Sequence, residues 1–458
     1  MKNFLLQFLT IFICLSFTAC SKDDEGSESA SGNTHANEQS RIEVVIYENG
    51  ITSNGSKFSA IDEDNFYLDY IKYTIEDDYL VLSDCDATRV KGDIRIPSKI
   101  TYKGNSYDVR KIGPSALCYC SKMSFLTIPN SVKSIGHGAF RGCYSLQSLT
   151  LGNGLDSVDE LAFSECYGLS SVTINTKKIQ GWFSYLDGLE EVVIGDDVES
   201  IEDGAFHDCS GLTSVTIPNS VKSIGMRAFE DCSSLTSVTI SNNVNSIEGE
   251  TFKGCSRLTS VTIPNSVKSI GTRAFSDCRS LTSVTLGRSV SSIAENAFEG
   301  CNMITAIDID EENYTYDSRN HCNAIIETST NTLIKGCTRT TIPDGVTTIG
   351  ERAFSGCTLI SVAIPNSVTS IKNEAFMGCY GLTYLTIPKN VTNIGFRAFY
   401  GSNLVNLTVE ASTPPKIDWN VFDGLSLKVI FVPKESVEEY KIASTWFRYK
   451  DIIKAFGE

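Results

Sequence analysis

Signatures of catalysis and of cofactor binding are missing from this chain of 458 residues. There is no HExxH, CxxC or GxSxG motif, and residues 152–154 lack the third glycine of a dinucleotide-binding fingerprint. Histidine occurs only at His35, His137, His207 and His321, and none of these lies in the spacing of a catalytic or metal site. The sequence therefore predicts a protein that is not an enzyme and that needs no cofactor or metal.

Basic residues are also scarce, with 39 Lys and Arg against 55 Asp and Glu. Nucleic acids and anionic membrane surfaces are bound mainly through basic residues, so the acidic balance argues against both as partners. Beyond the N-terminus, no apolar run reaches the ~18 residues that a transmembrane helix needs. The length exceeds what one hydrophobic core usually serves, which indicates either several domains or a solenoid.

A calcium loop is not expected either. The acidic stretch 308–317 would need glycine at its sixth place and glutamate at its twelfth, where the chain has Asn313 and Arg319. We expect a solvated loop here, with a weak cation or ligand site as the alternative.

The N-terminus has one strongly apolar run, MKNFLLQFLTIFICLSFTAC, which predicts a signal peptide over residues 1–19. Cys20 follows Phe-Thr-Ala and resembles the lipidated cysteine of a bacterial lipobox, although Phe17 departs from the usual aliphatic residue. Residues 20–40 are acidic and rich in Ser and Gly, so we expect a flexible tether. Their acidic run resembles the export signal of Bacteroidetes surface lipoproteins. The expectation is an outer membrane lipoprotein at the cell surface; a periplasm-facing anchor and an ordinary secretory signal are the alternatives.

Repetition is the most abundant feature of the chain. The segments Leu212–Cys232 and Leu258–Cys278 lie 46 residues apart and agree at nineteen of twenty-one positions. Cysteines recur in steps of 23 residues, and an Ala-Phe pair stands before most of them. Self-similarity at a fixed period indicates a repeat architecture.

One unit has the pattern of a coil with a buried face. Val215 and Ile217 alternate with polar residues, which is the period of a half-buried strand. Pro218 ends the strand, and Val221 and Ile224 begin a second short extended piece. One coil cannot bury these side chains alone, but a neighbouring coil can, so the pattern predicts a solenoid with one parallel strand per coil.

The unit LTSVTIPNSVKSIGTRAFSDC resembles the BspA-type leucine-rich repeat, a 23-residue form found in bacterial surface proteins. The resemblance covers roughly residues 111–410 and implies a leucine-rich repeat solenoid of about thirteen coils, interrupted at 308–337. Each coil would add a parallel strand and short extended or 3₁₀ segments. Residues 41–110 are expected to form a β-rich N-terminal cap and residues 411–458 a small α/β C-terminal cap. The resemblance also implies adhesion to host matrix proteins or to other cells.

The repeated cysteines could form disulfides or bind a metal instead of only packing in the core. Stacked coils would bring equivalent cysteines about 5 Å apart, which lies within the Cα range of a disulfide. Parallel neighbours point the same way into the core, however, so we expect a ladder of reduced thiols. Disulfides and metal binding by these cysteines are the alternatives.

A candidate ligand face is formed by the outward strand positions, where Ser and Thr recur. Such a face could serve solubility alone, or it could bind a protein or glycan, as extended solenoid faces commonly do. We predict protein recognition, with a glycan-capturing accessory protein or an architectural surface protein without ligand as alternatives. Oligomeric state is left open. The candidate residues are Glu191, Thr216, Thr239, Thr262, Thr285, Tyr384 and Thr386.

Overall fold

The computed structural model describes residues 43–46, 52–159 and 161–457, and most of them form the predicted parallel β-solenoid. The proposed signal peptide at 1–19, the tether at 20–40 and Cys20 lie outside the described residues. The solenoid has about 15 turns, more than the thirteen expected from the motif. The difference arises because strands without the motif also occupy coil positions at both ends and at the interruption.

A sheet of mostly antiparallel strands precedes the repeats. Its core contains the stacked rings of Phe66 and Tyr73, whose centroids lie 5.8 Å apart. In spatial order its strands are β1 (Glu43–Val45), β7 (Lys99–Tyr102), β8 (Asn105–Ile112), β5 (Tyr79–Cys85), β4 (Ile71–Glu76), β3 (Asn65–Leu68) and β2 (Phe58–Ala60).

The alternating strands of successive coils stack in parallel and in register, and each places its apolar residues inward. The first sheet of this column also contains β6 (Lys91–Arg95), which pairs in parallel with the first coil strand instead of with the cap sheet. Its other members are β9 (Lys122–Ile128), β11 (Ser148–Leu151), β13 (Ser171–Ile174), β15 (Glu191–Ile194), β17 (Ser214–Thr216) and β19 (Ser237–Thr239). The same column continues as β21 (Ser260–Ile263), β23 (Ser283–Leu286) and β25 (Ala306–Ile309). Beyond the interruption it contains β31 (Tyr384–Ile387), β33 (Asn406–Val409), β35 (Val429–Val432) and β36 (Ile453–Ala455).

The second extended piece of each coil forms a column of two-residue strands. The first of these extend the cap sheet through β8, and they are β10 (Ser134–Ile135) and β12 (Ser157–Val158). The next are β14 (Lys178–Ile179), β16 (Ser200–Ile201), β18 (Ser223–Ile224), β20 (Ser246–Ile247), β22 (Ser269–Ile270) and β24 (Ser292–Ile293). After the interruption come β29 (Thr348–Ile349), β30 (Ser370–Ile371), β32 (Asn393–Ile394) and β34 (Lys416–Ile417).

The phenylalanines of the Ala-Phe pairs stack face to face along the core. In the middle of the coils before residue 308, which we call the first array, the ring of Phe229 lies 5.3 Å from that of Phe206 and 5.4 Å from that of Phe252. Phe183 continues this stack in the shortened coil, and Trp182 beside it is buried. Each copy of the repeated segment therefore contributes one layer of a continuous aromatic core.

An inserted hairpin replaces a coil at the interruption. It consists of β26 (Tyr316–Asp317), β27 (Ala324–Glu327) and β28 (Thr332–Gly336), with a 3₁₀ turn at Arg319–His321. β28 pairs in parallel with β29 and so becomes part of the solenoid. The hydrophobic core divides here into two clusters, and the hairpin contributes side chains to both.

The C-terminal end is closed by a short helix and two buried aromatic side chains. The helix α1 spans Val437–Ile442, between 3₁₀ turns at Lys434–Ser436 and Trp446–Ile452; a further 3₁₀ turn, Gly181–Phe183, lies in the shortened coil. Tyr440 donates a hydrogen bond to the Ala411 carbonyl, and the Trp446 indole donates to the Pro415 carbonyl, both at 2.8 Å. These bonds fix the helix over the apolar end of the last coils.

Candidate functional site

The outward residues of β9 to β25, which we call the first strand face, include five of the seven candidate residues. Thr216 lies in register with Thr239, and Thr262 lies in register with Thr285. Glu191 lies on β15, next to the strand of Thr216, and its carboxylate accepts a hydrogen bond of 3.2 Å from the Ser171 hydroxyl. The structure therefore brings these five side chains onto one surface, although Thr239 and Thr262 belong to separate sheets.

A groove of about 760 Å³ opens at the end of the first strand face. Thr262, Thr285 and Asp308 form its floor in register, because β21, β23 and β25 pair in parallel. Its wall comes from the loop 310–312, which the sequence analysis assigned to solvent. Arg288 pairs with Glu312 at 2.7 Å, which leaves an excess of carboxylates on the groove.

Tyr384 and Thr386 lie on a different surface, the outward residues of β31 to β36, which we call the second strand face. Tyr384 is 51% exposed. Its phenolic oxygen lies 3.2 Å from the hydroxyls of both Thr386 and Thr408. Hydrogen bonds with Thr386 and, to a smaller extent, with Thr408 lower the pKa of the Tyr384 phenol.

The seven candidate residues were expected to share one ligand face, but the structure places them on two separate strand faces. No strand of this column forms between Ile309 and Tyr384. The hairpin occupies part of that stretch, and residues 359–364 run without strand pairing, with Ile360 left exposed. The seven candidate residues therefore form two groups rather than one site.

The repeat cysteines lie one above another as a ladder of buried free thiols. Most of these thiols donate to the backbone carbonyl of the preceding coil, as Cys232 does to Phe206 at 3.2 Å and Cys255 to Phe229 at 3.2 Å. Burial raises the pKa of Cys209 to about 12. Thiols that are buried in this way and bonded to a carbonyl of the preceding coil act as packing groups, because reactive cysteines need an accessible thiolate.

Within the described ranges, no group of three His, Cys, Asp or Glu side chains is arranged to hold a metal ion. Two of the histidines pair instead with carboxylates of neighbouring coils. His137 lies 3.1 Å from Asp159, and His207 lies 3.4 Å from Glu230. His321 lies in the 3₁₀ turn of the hairpin, and His35 falls outside the described residues.

An exposed aromatic pair was missed by the sequence analysis. Tyr144 and Tyr167 stack with ring centroids 6.2 Å apart, and both are exposed. Beside them, Arg141 makes a 2.7 Å ion pair with Glu165. The available signal was a tyrosine directly after the repeat cysteine in two consecutive coils.

A cavity of about 220 Å³ at the interruption was also missed. It lies between Phe298 of the last coil before the hairpin and Lys335 of β28, and the Lys335 side chain is buried. Arg352 spans the cavity margin, because it donates to Asn296 at 2.8 Å and pairs with Glu299 at 3.3 Å. No sequence pattern signals a cavity at this place.

A family model described as the BspA-type leucine-rich repeat region, with six copies, matches residues 110–233, 179–305 and 325–453. The chain therefore belongs to the BspA-type leucine-rich repeat family, as the resemblance predicted. A leucine-rich repeat solenoid is generally a non-enzymatic scaffold for protein interaction, and no catalytic family is indicated.

Two solved structures illustrate the likeness. A leucine-rich repeat protein from Bacteroides ovatus is 24% identical with a TM-score of 0.51, and the match covers 87% of this chain and 99% of that chain. A leucine-rich cell surface protein from Faecalibacterium prausnitzii is 24% identical with a TM-score of 0.44, covering 87% and 97% of the two chains. The first of these supports the fold alone. The search among curated proteins found no match.

Proposed function

We propose that this protein is a lipid-anchored recognition protein of the bacterial outer surface, and that the first strand face binds a protein partner. The single observation that carries this is the groove of about 760 Å³, whose floor is the in-register series Thr262, Thr285 and Asp308. An extended solenoid face with a groove at one end suits contact with another macromolecule. No bond is made or broken in this function.

The charge of the groove favours a partner with a basic segment. The carboxylates of Asp308, Asp310 and Glu311 line it, and one cation, Arg288, is already paired with Glu312. Complementary charge speeds association and selects partners more than it adds affinity. Binding is therefore expected to weaken as salt concentration rises.

Anchoring at Cys20 and display outside the cell rest on the signal-like N-terminus and on family membership, because BspA-type repeat proteins are typically surface-associated. Within the described part of the chain, no helix is both long and apolar enough to cross a membrane. If the lipid at Cys20 attaches the protein, a Cys20→Ala variant should leave the membrane fraction, and a variant that stays there would contradict the anchor.

The binding test compares the two strand faces. Purified wild type and the double variant T285K/D308K are titrated onto immobilised extracellular-matrix proteins, and Y384A serves as the matched control on the second strand face. We expect the double variant to lose most binding and Y384A to retain it. Equal binding by all three proteins, with unchanged melting curves, would contradict a role for the groove.

Glycan capture is the second candidate function, and the stacked pair Tyr144 and Tyr167 favours it. Exposed rings beside an Arg and a Glu offer both apolar contact and hydrogen-bonding groups. A glycan array probed with wild type and with Y144A/Y167A tests it. Binding that requires these two tyrosines, together with no response to T285K/D308K, would favour capture of glycans over protein recognition.

A further inference from the structure

Cys120 is the first thiol of the ladder, and its surroundings differ from those of the others. Cys143 donates to the Leu117 carbonyl at 3.2 Å, and Cys166 donates to the Phe140 carbonyl at 3.3 Å. Each of these bonds uses a carbonyl of the coil before. Cys120 lies in the first coil with this motif, where the N-terminal cap stands in place of a preceding coil.

The cap supplies a second thiol instead. Cys85 ends the cap strand β5, and its Sγ lies 3.2 Å from the Sγ of Cys120. Cys120 is fully buried and Cys85 is partly exposed. Cys85 comes from the cap rather than from the repeated coil position, so the parallel stacking that opposes bridges between ladder cysteines is absent from this pair.

We propose that Cys85 and Cys120 form a redox-responsive disulfide that fastens the N-terminal cap to the first coil of the solenoid. The two sulfur atoms lie 3.2 Å apart, and a bond requires them to approach to about 2.05 Å. The bridge would close the chain from residue 85 to residue 120 and so limit opening at this end of the solenoid.

The oxidant is a small-molecule disulfide, of which oxidised glutathione is the probe. The Cys85 thiolate attacks one sulfur of the probe, releases one thiol and forms a mixed disulfide. The Cys120 thiolate then attacks the Cys85 sulfur and releases the second thiol. Two cysteine thiols lose two protons and two electrons in total, and one glutathione disulfide is reduced to two thiols.

Cys118 is the neighbouring thiol that could compete. Its side chain is partly exposed, but the structure places Cys120, not Cys118, at bonding approach to Cys85. Contact with Cys120, partial burial and the carboxylates of Asp84 and Asp86 all raise the pKa of Cys85. The exchange is therefore run at alkaline pH, where the thiolate fraction is larger.

The test is peptide mapping of the mature chain after incubation with oxidised glutathione, alkylation and tryptic digestion without reductant. Trypsin places Cys85 in residues 73–89 and both Cys118 and Cys120 in residues 112–122, so fragmentation must assign the bridge. We expect these two peptides to be cross-linked through Cys120, with Cys143 and Cys166 alkylated only in unfolded protein. Free Cys85 and Cys120 after oxidation, or a bridge to Cys118, would overturn the proposal.

Variants separate the bridge from effects on folding. C118S should keep the cross-linked peptide pair, and C85S, at the partly exposed position, should lose it. Dithiothreitol should lower the melting temperature of the oxidised wild type and leave that of C85S unchanged. Equal sensitivity of wild type and C85S to the reductant would contradict a cap-to-coil bridge.

Discussion

The coils before the inserted hairpin and the coils after it follow the same motif, but they pack into two hydrophobic clusters. Before the hairpin, aromatic rings stack from Phe140 to Phe298, and after it they stack from Phe354 to Phe422. The motif therefore determines how neighbouring coils pack, and a single departure from it ends the stack.

The departure lies at Gly336. Its N–H donates to the Ala353 carbonyl at 2.9 Å, just as the N–H of Phe275 donates to the Ala297 carbonyl at 2.8 Å. Gly336 thus occupies a phenylalanine position without a ring, and the cavity beside Phe298 lies at this break in the stack. A repeat array can accept an insertion if the backbone pairing continues, even where side-chain packing does not.

The largest expected effect comes from removing a ring inside the continuous stack. Phe229→Ala should lower the free energy of unfolding by about 3–5 kcal/mol, because Phe229 is fully buried between two rings. Phe298→Ala should cost less, because Phe298 has a ring neighbour on one side and a cavity on the other. Urea unfolding of both variants measures the difference, and equal losses would contradict the break in the stack.

Adding a side chain at Gly336, where the ring stack is broken, should also destabilise the protein. A Cβ added at Gly336 would lie 2.1 Å from Cε1 of Phe354, so Gly336→Ala is expected to cost about 1–3 kcal/mol through overpacking. Gly249→Ala is the control, since a Cβ added at Gly249 would lie 3.4 Å from its nearest atom, the Thr272 carbonyl oxygen. A Gly336→Ala protein as stable as the control in thermal unfolding would show that the ring moves aside freely.

The ion pair between Arg352 and Glu299, which joins the coils after the hairpin to those before it, should contribute less to the free energy of unfolding. Arg352 and Glu299 lie 3.3 Å apart and are each about one-third exposed, so their coupling should be about 0.5–1 kcal/mol. A double-mutant cycle with R352M and E299Q measures it. The more exposed pair Lys222 and Glu199, at 3.0 Å within one array, should couple less strongly. A larger coupling for that pair would weaken the idea that charges help to join the arrays.

The smallest effect is a dependence on pH within the first array. A hydrogen bond from Arg227 holds the pKa of Glu250 below its usual range, and Lys253 and Arg273 act in the same direction. A lowered pKa stabilises the fold above the unfolded value of about 4.3, and this contribution is lost as pH falls through the folded value. The melting temperature of E250Q should therefore approach that of wild type in acid, and a gap that widens would contradict this sign.

The coil itself could be predicted from the sequence because its signal is repeated. The residues of Leu212–Cys232 that recur as apolar in the repeat are all buried, and the short strand Ser223–Ile224 follows Val221. They are Leu212, Val215, Ile217, Val221, Ile224, Ala228, Phe229 and Cys232. Repetition averages out local noise, since every copy must satisfy the same packing. The segment around the hairpin is not repeated in the sequence. No sequence pattern therefore predicted the cavity at Lys335 or the exposed side chain of Ile360.

The candidate site was predicted less well for a related reason. The alternation of Thr262, Thr285 and their neighbours determines which side chains point outward, and the structure agrees with that assignment. It does not determine whether distant strands share a surface, so Tyr384 was joined to residues that lie on the other strand face. The groove wall at 310–312 depends on the path of an insertion, which periodicity does not describe.

The most direct test of the central claim, recognition at the outer surface, is protease shaving of intact cells followed by immunodetection of the solenoid. A periplasmic protein serves as the control for cell integrity. Our account predicts that the signal from this protein disappears while the control remains. Full protection of the solenoid in unbroken cells would contradict recognition outside the cell and would restrict the strand faces to a partner within the periplasm.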